Sequence, residues 1–326
     1  MNDAPSVAVI GGYVMDHVMV VSGQLVKGTG NPVRCTRRPG GAGRNIAIAL
    51  AGAGCRPRPL GRLGDDDAGD IVASDLREAG IDISHMNRSG ATPVVTVIIE
   101  NAERTFLIPD GDTTRTSPIA DLLTDTALED INALHISGHV LARDPKPDLA
   151  ARRLHELRQR GIHLSTESPD LQEITGDPQD YREILRHSRF HTLFANHEEA
   201  TALGALPRPS QHRRLSSNDV GLADISVITA AQHATTVVVG GSHAAMTVEV
   251  PPVSDVTDTT GAGDTFAAGY LAALLASPRE VAALECSAMR IHSKQIRHAV
   301  EAGHLHASRL LRHRTSPQRV LDEITP

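Results

Sequence analysis

Short apolar segments alternate with longer amphipathic ones through much of this chain, and that alternation restricts the folds it can adopt. The pattern predicts strands at 6–10, 133–137, 161–166 and 190–195, and a helix at 147–160. A strand pair is also predicted at 235–239 and 245–250. Strands separated by helices favour a mostly parallel sheet covered by helices, which is an α/β fold.

Three regions depart from this alternation. An apolar stretch at 13–21 predicts a strand, and two β-branched runs at 91–99 and 105–108 predict a hairpin around a polar turn. Ser210 to Asn218, preceded by two prolines, predicts a loop. The basic segment 290–319 predicts a helix with a solvated charged face, the alternative being a phosphate contact. We expect its histidines 292, 298, 304 and 306 at the surface.

Composition excludes several classes of protein. Hydrophobic residues make up 40% and charged residues 22% of the 326 residues, as in ordinary globular chains. The formal charge of −7 argues against general nucleic-acid binding, and no apolar run reaches the roughly 18 residues of a membrane span. Cys35, Cys55 and Cys286 are too scattered for a disulfide framework, so we expect buried thiols in a cytoplasmic protein.

One glycine-rich segment, DTTGAGDTF at 258–266, carries the clearest chemical signal. It leads into a helical run, and the first N–H groups of a helix point outward with the positive end of the helix dipole. The segment therefore predicts an anion site. Asp264 is electrostatically unfavourable beside a bound anion unless it has a chemical role; the alternative is that it only caps the helix.

Two common nucleotide-binding loops are excluded by their own requirements. A P-loop needs Gly-Lys-Ser/Thr, but Lys27, Lys146 and Lys294 all lie in other contexts. The dinucleotide fingerprint needs Gly-x-Gly-x-x-Gly, and the spacings that start at Gly41 and Gly261 end in Ile46 and Phe266. The anion site must therefore belong to another kind of fold.

The segments DTTGAGDTF at 258–266 and GGAGRNIA at 40–47 resemble the two signatures of the ribokinase-like (PfkB) carbohydrate kinases. Three further segments are similar to the sequences of this family: GRLGDDDAG at 61–69, ERTF at 103–106 and NHEEA at 196–200. The resemblance implies a three-layer α/β/α ribokinase-like fold with a small β-sheet lid. It implies a core formed by residues 1–12, 37–90 and 109–326, and a lid formed by residues 13–36 and 91–108.

The resemblance also implies roles for individual residues. Asp264 matches the catalytic base, and the N–H groups of Ala262, Gly263 and Asp264 match the anion hole for the transferring phosphoryl group, in the loop that contains Gly261. The positions that match the sugar site are Asp16, Gly40, Gly41 and Asn45. The positions that match the nucleotide site are Asn196, Glu199, Gly241 and Thr260, with Asn196 and Glu199 organising Mg²⁺ through water.

Each of these roles has a structural alternative. Asn45 would be a helix cap, Asp16 an edge-strand charge that prevents aggregation, and Glu198 and Glu199 first-turn acids that complement a helix dipole. The chain also departs from the family at 239–244, where VGGSHA replaces a Thr-x-Gly-x-x-Gly turn, and at 165–170. Both departures concern the nucleotide side of the site.

The expected activity is ATP- and Mg²⁺-dependent phosphorylation of a hydroxymethyl group on a sugar or sugar-like compound. One alternative is a nucleoside kinase of the same family, although the lid offers only Tyr13 and Phe106 for base stacking. Another is a ligand-binding regulator that has lost turnover. Because small isolated ribbons of strands are marginally stable, we expect a homodimer in which the lids pack together.

Overall fold

The computed structural model describes residues 4–100, 103–109, 117–172, 178–206, 221–240, 245–254, 256, 259–276 and 289–314. The strands in these residues are β1 (Ser6–Ile10), β2 (Val14–Val21), β3 (Val33–Gly40), β4 (Arg56–Leu63), β5 (Met86–Arg88), β6 (Val94–Glu100), β7 (Glu103–Leu107), β8 (Ala133–Ile136), β9 (His163–Glu167), β10 (Phe190–Asn196), β11 (Ala223–Ala230), β12 (His233–Val239) and β13 (Ala245–Val248). The helices are α1 (Ala42–Gly52), α2 (Asp67–Glu78), α3 (Ile119–Leu122), α4 (Gly138–Ala142), α5 (Pro147–Gln159), α6 (Pro178–Ser188), α7 (His197–Ala202), α8 (Ala262–Leu275) and α9 (Met289–Arg314).

The main sheet has the strand order β13-β12-β11-β10-β9-β8-β1-β4-β5. Its neighbouring strands from β5 to β11 run parallel, and β12 and β13 are antiparallel additions at one edge. The predicted mostly parallel sheet is therefore confirmed. Because these parallel strands point the same way, the residues that follow β1, β8, β9 and β10 meet at one carboxyl edge.

Alternating side chains of β1 enter two separate cores. Ala8 and Ile10 pack with residues of α3, α5 and α6 on one face, and Val7 and Val9 pack with residues of α1, α8 and α9 on the other. A helix layer thus covers each face of the sheet, as period-2 alternation requires when both faces are buried. The predicted three-layer α/β/α fold is confirmed.

A second sheet has the order β3-β2-β6-β7. β2 pairs antiparallel with β3 and parallel with β6, and β6 pairs antiparallel with β7. These strands contain the predicted hairpin and the strand at 13–21. The division of the chain into a core and a lid at the boundaries given above stays a prediction.

Some expectations from the sequence were wrong. Cys35 is exposed, because it lies in the outer part of β3, whereas Cys55 is buried as expected. His304 is only 6% exposed and packs edge-on against Phe266, with 4.9 Å between the ring centroids. It lies on the side of α9 that faces α8. The strands β4 and β11 were not predicted, and the loop at 210–218, Cys286 and Gly241 lie outside the described residues.

Within the described ranges, none of the helices combines the length and the apolar character that a membrane crossing requires.

Candidate active site

The start of α8 is shaped by a glycine in the left-handed region. Gly261 is the N-cap residue, with a φ of 71°, and no side chain caps the helix. Ala262 N–H donates to the carbonyl of Thr259 at 3.1 Å. Gly263 is exposed, and its N–H makes no hydrogen bond within the described residues. The predicted anion-hole donor Ala262 thus already has an acceptor, whereas Gly263 N–H is available to an anion.

Asp264 and Asn45 meet across the interface of α8 and α1. Asn45 Nδ2 donates to Asp264 Oδ2 at 3.0 Å, although the two residues are 219 positions apart. Asp264 lies inside the first turn of α8, and Asn45 lies one turn inside α1, whose N-cap is Gly41. Neither residue stands at the N-cap position of its helix, so neither is the N-cap residue that the alternatives expect. Their contact unites the two segments that carried the chemical signal.

Glycines allow α1 to begin directly against the turn after β1. Gly41 has a φ of 93°, and a Cβ on it would overlap the carbonyl oxygen of Gly12. A Cβ on Gly43 would lie 2.8 Å from the carbonyl carbon of Gly11 and 2.9 Å from Cζ of Tyr13. Larger residues would push α1 away from the sheet. The glycines therefore fix the position from which Asn45 reaches Asp264.

Asp16 lies beside the entry to the same helix. Its strand β2 is flanked by β3 and β6, so Asp16 is not on an edge strand and the edge-charge alternative is wrong. A Cβ on Gly40 would overlap the Asp16 carboxylate, so this carboxylate lies against the backbone of Gly40, the residue before the N-cap Gly41 of α1. Asp16 has no hydrogen-bond partner in the described part of the chain. Burial raises the pKa of this carboxyl, although Arg38 and Arg44 act against the increase.

Asn196 and Glu199 form a reciprocal cap at the start of α7. Asn196 Oδ1 accepts from Glu199 N–H at 2.8 Å, and Glu199 Oε2 accepts from Asn196 N–H at 2.9 Å. Asn196 Nδ2 also donates to Glu199 Oε1 at 2.6 Å. Burial raises the pKa of Glu199 to about 7, and the nearby carboxylates of Asp170 and Glu167 add to the increase. Glu199 is therefore a first-turn acid of α7, as its structural alternative expects. This position is compatible with a further role of the side chain.

A group of acids and histidines surrounds Glu199 at the carboxyl edge. Glu167, at the end of β9, lies 3.8 Å from Nε2 of His135, and Asp170 lies 3.7 Å from Nε2 of His139. Burial opposes ionisation of Glu167, but the His135 and Ser137 side chains hold its pKa below the usual range. From the sequence, residues 165–170 are only a departure from the family pattern. The feature that could have indicated a site is the presence of two acids, Glu167 and Asp170, at and just after the end of a buried strand.

The structure separates the predicted site residues into two groups. The acceptor group, defined as Asp16, Gly40, Gly41, Asn45 and Asp264, is joined by the contacts described above. The nucleotide group, defined as Asn196 and Glu199 with their neighbours Glu167 and Asp170, follows β9 and β10 at the same carboxyl edge. Thr260 is half-buried next to Gly261.

Comparisons with known proteins show the family to which the chain belongs. Residues 4–318 match the pfkB family of carbohydrate kinases. The chain is 29% identical to a fructokinase of Klebsiella pneumoniae, over 80% of this chain and 84% of that protein. It is 30% identical to an ATP-dependent ribose-1-phosphate kinase of Halopiger xanaduensis, over 76% of each chain.

A solved structure shares the fold. The fructokinase of Xylella fastidiosa with bound ATP superimposes with a TM-score of 0.70 at 19% identity, covering 93% of this chain and 92% of the other. The match to the family spans both helix layers, the second sheet and the α8 segment. The predicted phosphotransferase class, with an alcohol group as acceptor, is confirmed at the level of the family. This chain belongs to the pfkB family of carbohydrate kinases.

Proposed function

We propose that the protein transfers the γ-phosphoryl group of ATP to a hydroxymethyl group of a sugar or sugar-like substrate, with Mg²⁺ and with Asp264 as the base. The observation that carries this proposal is the 3.0 Å bond from Asn45 to Asp264 at the start of α8. It holds a carboxylate beside the N-terminus of a helix, where a phosphoryl group is favourably bound. A base and an anion site next to each other are the main requirements of phosphoryl transfer.

Asp264 takes the proton from the attacking hydroxyl group. Asn45 donates to one carboxylate oxygen, Oδ2, and thereby fixes the orientation of the group. Arg44 Nη1 in turn donates to Asn45 Oδ1 at 3.3 Å and is held by two 2.8 Å bonds to Asp75. This chain of contacts positions the base.

The N-terminus of α8 stabilises charge on the transferring group. Gly263 is exposed and lies in the first turn of α8, where N–H groups have no acceptor within the helix and the positive end of the helix dipole adds to their effect. Negative charge on the phosphoryl oxygens in the transition state is favoured here. Asp264 repels the same charge, so its proton-accepting role has to outweigh that cost.

The donor chemistry of the nucleotide group fits Mg²⁺. Glu167, Asp170 and Glu199 offer carboxylate oxygens, which this hard ion prefers. Within the described ranges, no group of three or more acidic, histidine or cysteine side chains is arranged to hold a metal directly. Asn196 and Glu199 would therefore hold the ion through water. Bound Mg²⁺ would neutralise charge on the nucleotide phosphates.

Asp16 recognises the acceptor. Its carboxylate is partly buried and has no partner in the described part of the chain, so substrate hydroxyl groups would restore the hydrogen bonds lost on burial. Gly40 and Gly41 allow the backbone to pass close to the Asp16 carboxylate and to Gly12, which sets the position of Asp16 beside the start of α1. Thr260, and Gly241 outside the described residues, complete the proposed nucleotide contacts.

We propose that the second sheet is the lid of the site and the contact surface of a homodimer. Val33 on β3, and Phe106 and Leu107 on β7, are exposed apolar residues of its outer strands. Light scattering at micromolar concentration tests this, and a strict monomer would contradict it. The free thiols of Cys35 and Cys55 support a cytoplasmic location.

A nucleoside acceptor is the second candidate. Phe106 is 48% exposed and lies on the same face of the second sheet as Asp16, by the pairings of Val97 with Phe106 and of Val18 with Val97. Tyr13 is not available for stacking, because it is buried and its hydroxyl donates to Val9 O at 3.0 Å. If the substrate is a nucleoside, Phe106→Leu should raise KM for it more than for any sugar.

The decisive experiment is a phosphorylation screen of pentoses, hexoses, sugar acids and nucleosides with Mg-ATP. Asp264→Asn protein serves as the control for contaminating kinases. Asp148→Asn is the matched control, because Asp148 is likewise an acid in the first turn of a helix, α5, is exposed, and has no proposed role in the reaction. A non-catalytic regulator would bind an acceptor without turnover, so failure to phosphorylate any compound would support that alternative.

A further inference from the structure

The second sheet carries arginines on the face that bears Asp16. In the antiparallel pairing of β2 with β3, Asp16 is opposite Arg38 and Val20 is opposite Arg34. Residues at i and i+2 of a strand point to the same side, so Arg34, Thr36 and Arg38 share the Asp16 face. Arg37 lies between them and points to the opposite side.

The side chains of Arg34 and Arg38 have no hydrogen bond or ion pair with any part of the chain that the structure describes. Two partly buried arginines of the main α/β unit are paired, by contrast. Arg44 is held by Asp75 at 2.8 Å, and Arg158 by Asp224 at 2.7 Å. A guanidinium carries five donors in a planar fork, and two such groups without acceptors on the face of a substrate-binding carboxylate suggest an anionic ligand.

A simpler explanation is that Arg38 only balances the charge of Asp16. Within the described residues no ion pair joins the Arg38 guanidinium to the Asp16 carboxylate. Burial also outweighs the influence of Arg38 on the pKa of Asp16. Arg34 is four residues further along the strand, or about 13 Å, and cannot act as a counter-ion for Asp16. Charge balance therefore leaves Arg34 unexplained.

We infer that the acceptor of this enzyme carries an anionic group, a phosphate or a carboxylate, which Arg38 binds while Asp16 binds the sugar hydroxyls and Arg34 lies further out at the entrance. This rests on the proposed function and narrows its substrate class from sugars in general to sugar phosphates or sugar acids. A planar guanidinium binds either anion through two parallel N–H···O bonds.

The experiment compares acceptors that differ only by the anionic group. The pairs are fructose and fructose 1-phosphate, ribose and ribose 1-phosphate, and mannitol and mannonate, each assayed with Mg-ATP. We expect at least one anionic member to exceed its neutral partner in kcat/KM by about tenfold to 100-fold, the range for a charge-assisted hydrogen bond. The phosphate and carboxylate pairs distinguish the two kinds of anion.

Variants then assign the preference to residues. Arg38→Gln should remove most of the preference for the anionic acceptor and leave kcat/KM for the neutral partner within about threefold, since it loses only the charge-assisted bond. Arg34→Gln should have a smaller effect of the same sign. Arg37→Gln is the matched control, because it lies on the same strand, is exposed, and faces the other way. The preference should also weaken as ionic strength rises.

Three outcomes are informative. Equal or better use of every neutral acceptor would overturn the inference and leave the proposed function intact. An anionic preference that Arg38→Gln and Arg37→Gln reduce equally would also overturn it, since the effect would then come from general charge. Absence of turnover with every acceptor would refute the proposed function itself, and the inference with it.

Discussion

The acceptor group and the nucleotide group of the site are held in different ways. On the acceptor side, Asp264 is oriented by Asn45 from a distant part of the chain, and Asp16 has no partner among the described residues. On the nucleotide side, Asn196 and Glu199 satisfy each other within one turn of α7. The acceptor side thus depends on the tertiary fold, whereas the Asn196–Glu199 pair depends on a local cap. Variants on the two sides should therefore fail in different ways.

The largest effect is expected for Asp264→Asn. The amide keeps the size of the side chain and an oxygen that can accept from Asn45, but it lacks the basic carboxylate. We expect kcat to fall by about 10² to 10⁴, the usual contribution of a general base, with the melting temperature nearly unchanged. Steady-state kinetics and a thermal melt on the same preparation measure both. Turnover within about threefold of wild type would remove Asp264 from the role of base.

Asp16→Ala tests the second member of the acceptor group. Its effect should appear mainly as a rise in KM for the acceptor, of about tenfold to 100-fold, because hydroxyl groups lose a charged hydrogen-bond acceptor. KM for ATP should stay close to that of wild type. A variant that is merely less stable, with normal kinetics at low temperature, would instead assign Asp16 a structural role.

Gly43→Ala tests whether the acceptor side depends on close packing. The added methyl group meets backbone of Gly11 and the ring of Tyr13, and overpacking of this kind costs about 1–3 kcal/mol. We expect a lower melting temperature together with weaker acceptor binding. Gly52→Ala in the same helix is the control, because a Cβ there meets nothing within 4 Å. Equal stability of the two variants would show that α1 can move without cost.

Glu199→Gln tests the nucleotide side. Glutamine can replace glutamate in a capping box, so the free energy of unfolding should change little. Loss of the carboxylate should raise the Mg²⁺ concentration needed for half-maximal activity by about tenfold. This is the usual effect of changing a residue that contacts the ligands of a metal ion and not the ion itself. Glu198→Gln, next to it and exposed, is the control. An identical metal titration for both variants would reduce Glu199 to its capping role.

The smallest effect concerns stability and pH. Burial raises the pKa of Asp16 in the folded protein, so this carboxyl ionises at a lower pH in the unfolded chain than in the folded one. Ionisation of Asp16 therefore destabilises the fold once the pH exceeds the pKa of the unfolded chain. Asp16→Asn should therefore raise the melting temperature at about pH 7 and leave it unchanged near about pH 3, below the ordinary Asp pKa. A stabilisation that does not depend on pH would contradict this origin.

The same contrast explains what could be predicted from the sequence. β1, β8 and α5 have clear local patterns, and their predicted bounds agree with the structure to within one residue. β4 does not, since Pro57 and Pro59 argue against an interior strand. In the structure β5 pairs only with Gly61 to Leu63, so the proline-containing part of β4 has β1 as its one partner among the described strands.

The contacts of the site divide in a similar way. The Asn196–Glu199 cap spans a few residues, and its Asn-x-x-Glu spacing is visible in the sequence. The hydrogen bond between Asn45 and Asp264 joins residues that are 219 positions apart, and no local sequence pattern specifies it. Only the family resemblance pointed to both residues. The unpartnered arginines of β3 were not predicted, because whether a charge has a partner depends on the fold.

The position of β1 in the sheet has a consequence for synthesis on the ribosome. β1 emerges first and lies between β4 and β8, after which β9, β10, β11, β12 and β13 are added outward in order. The α8 segment follows the last of these strands. A nascent chain can therefore assemble the sheet and Asn45 before Asp264 exists. With Asp264 as the proposed base, catalytic competence therefore arises only after the strands of both sheets have been synthesised.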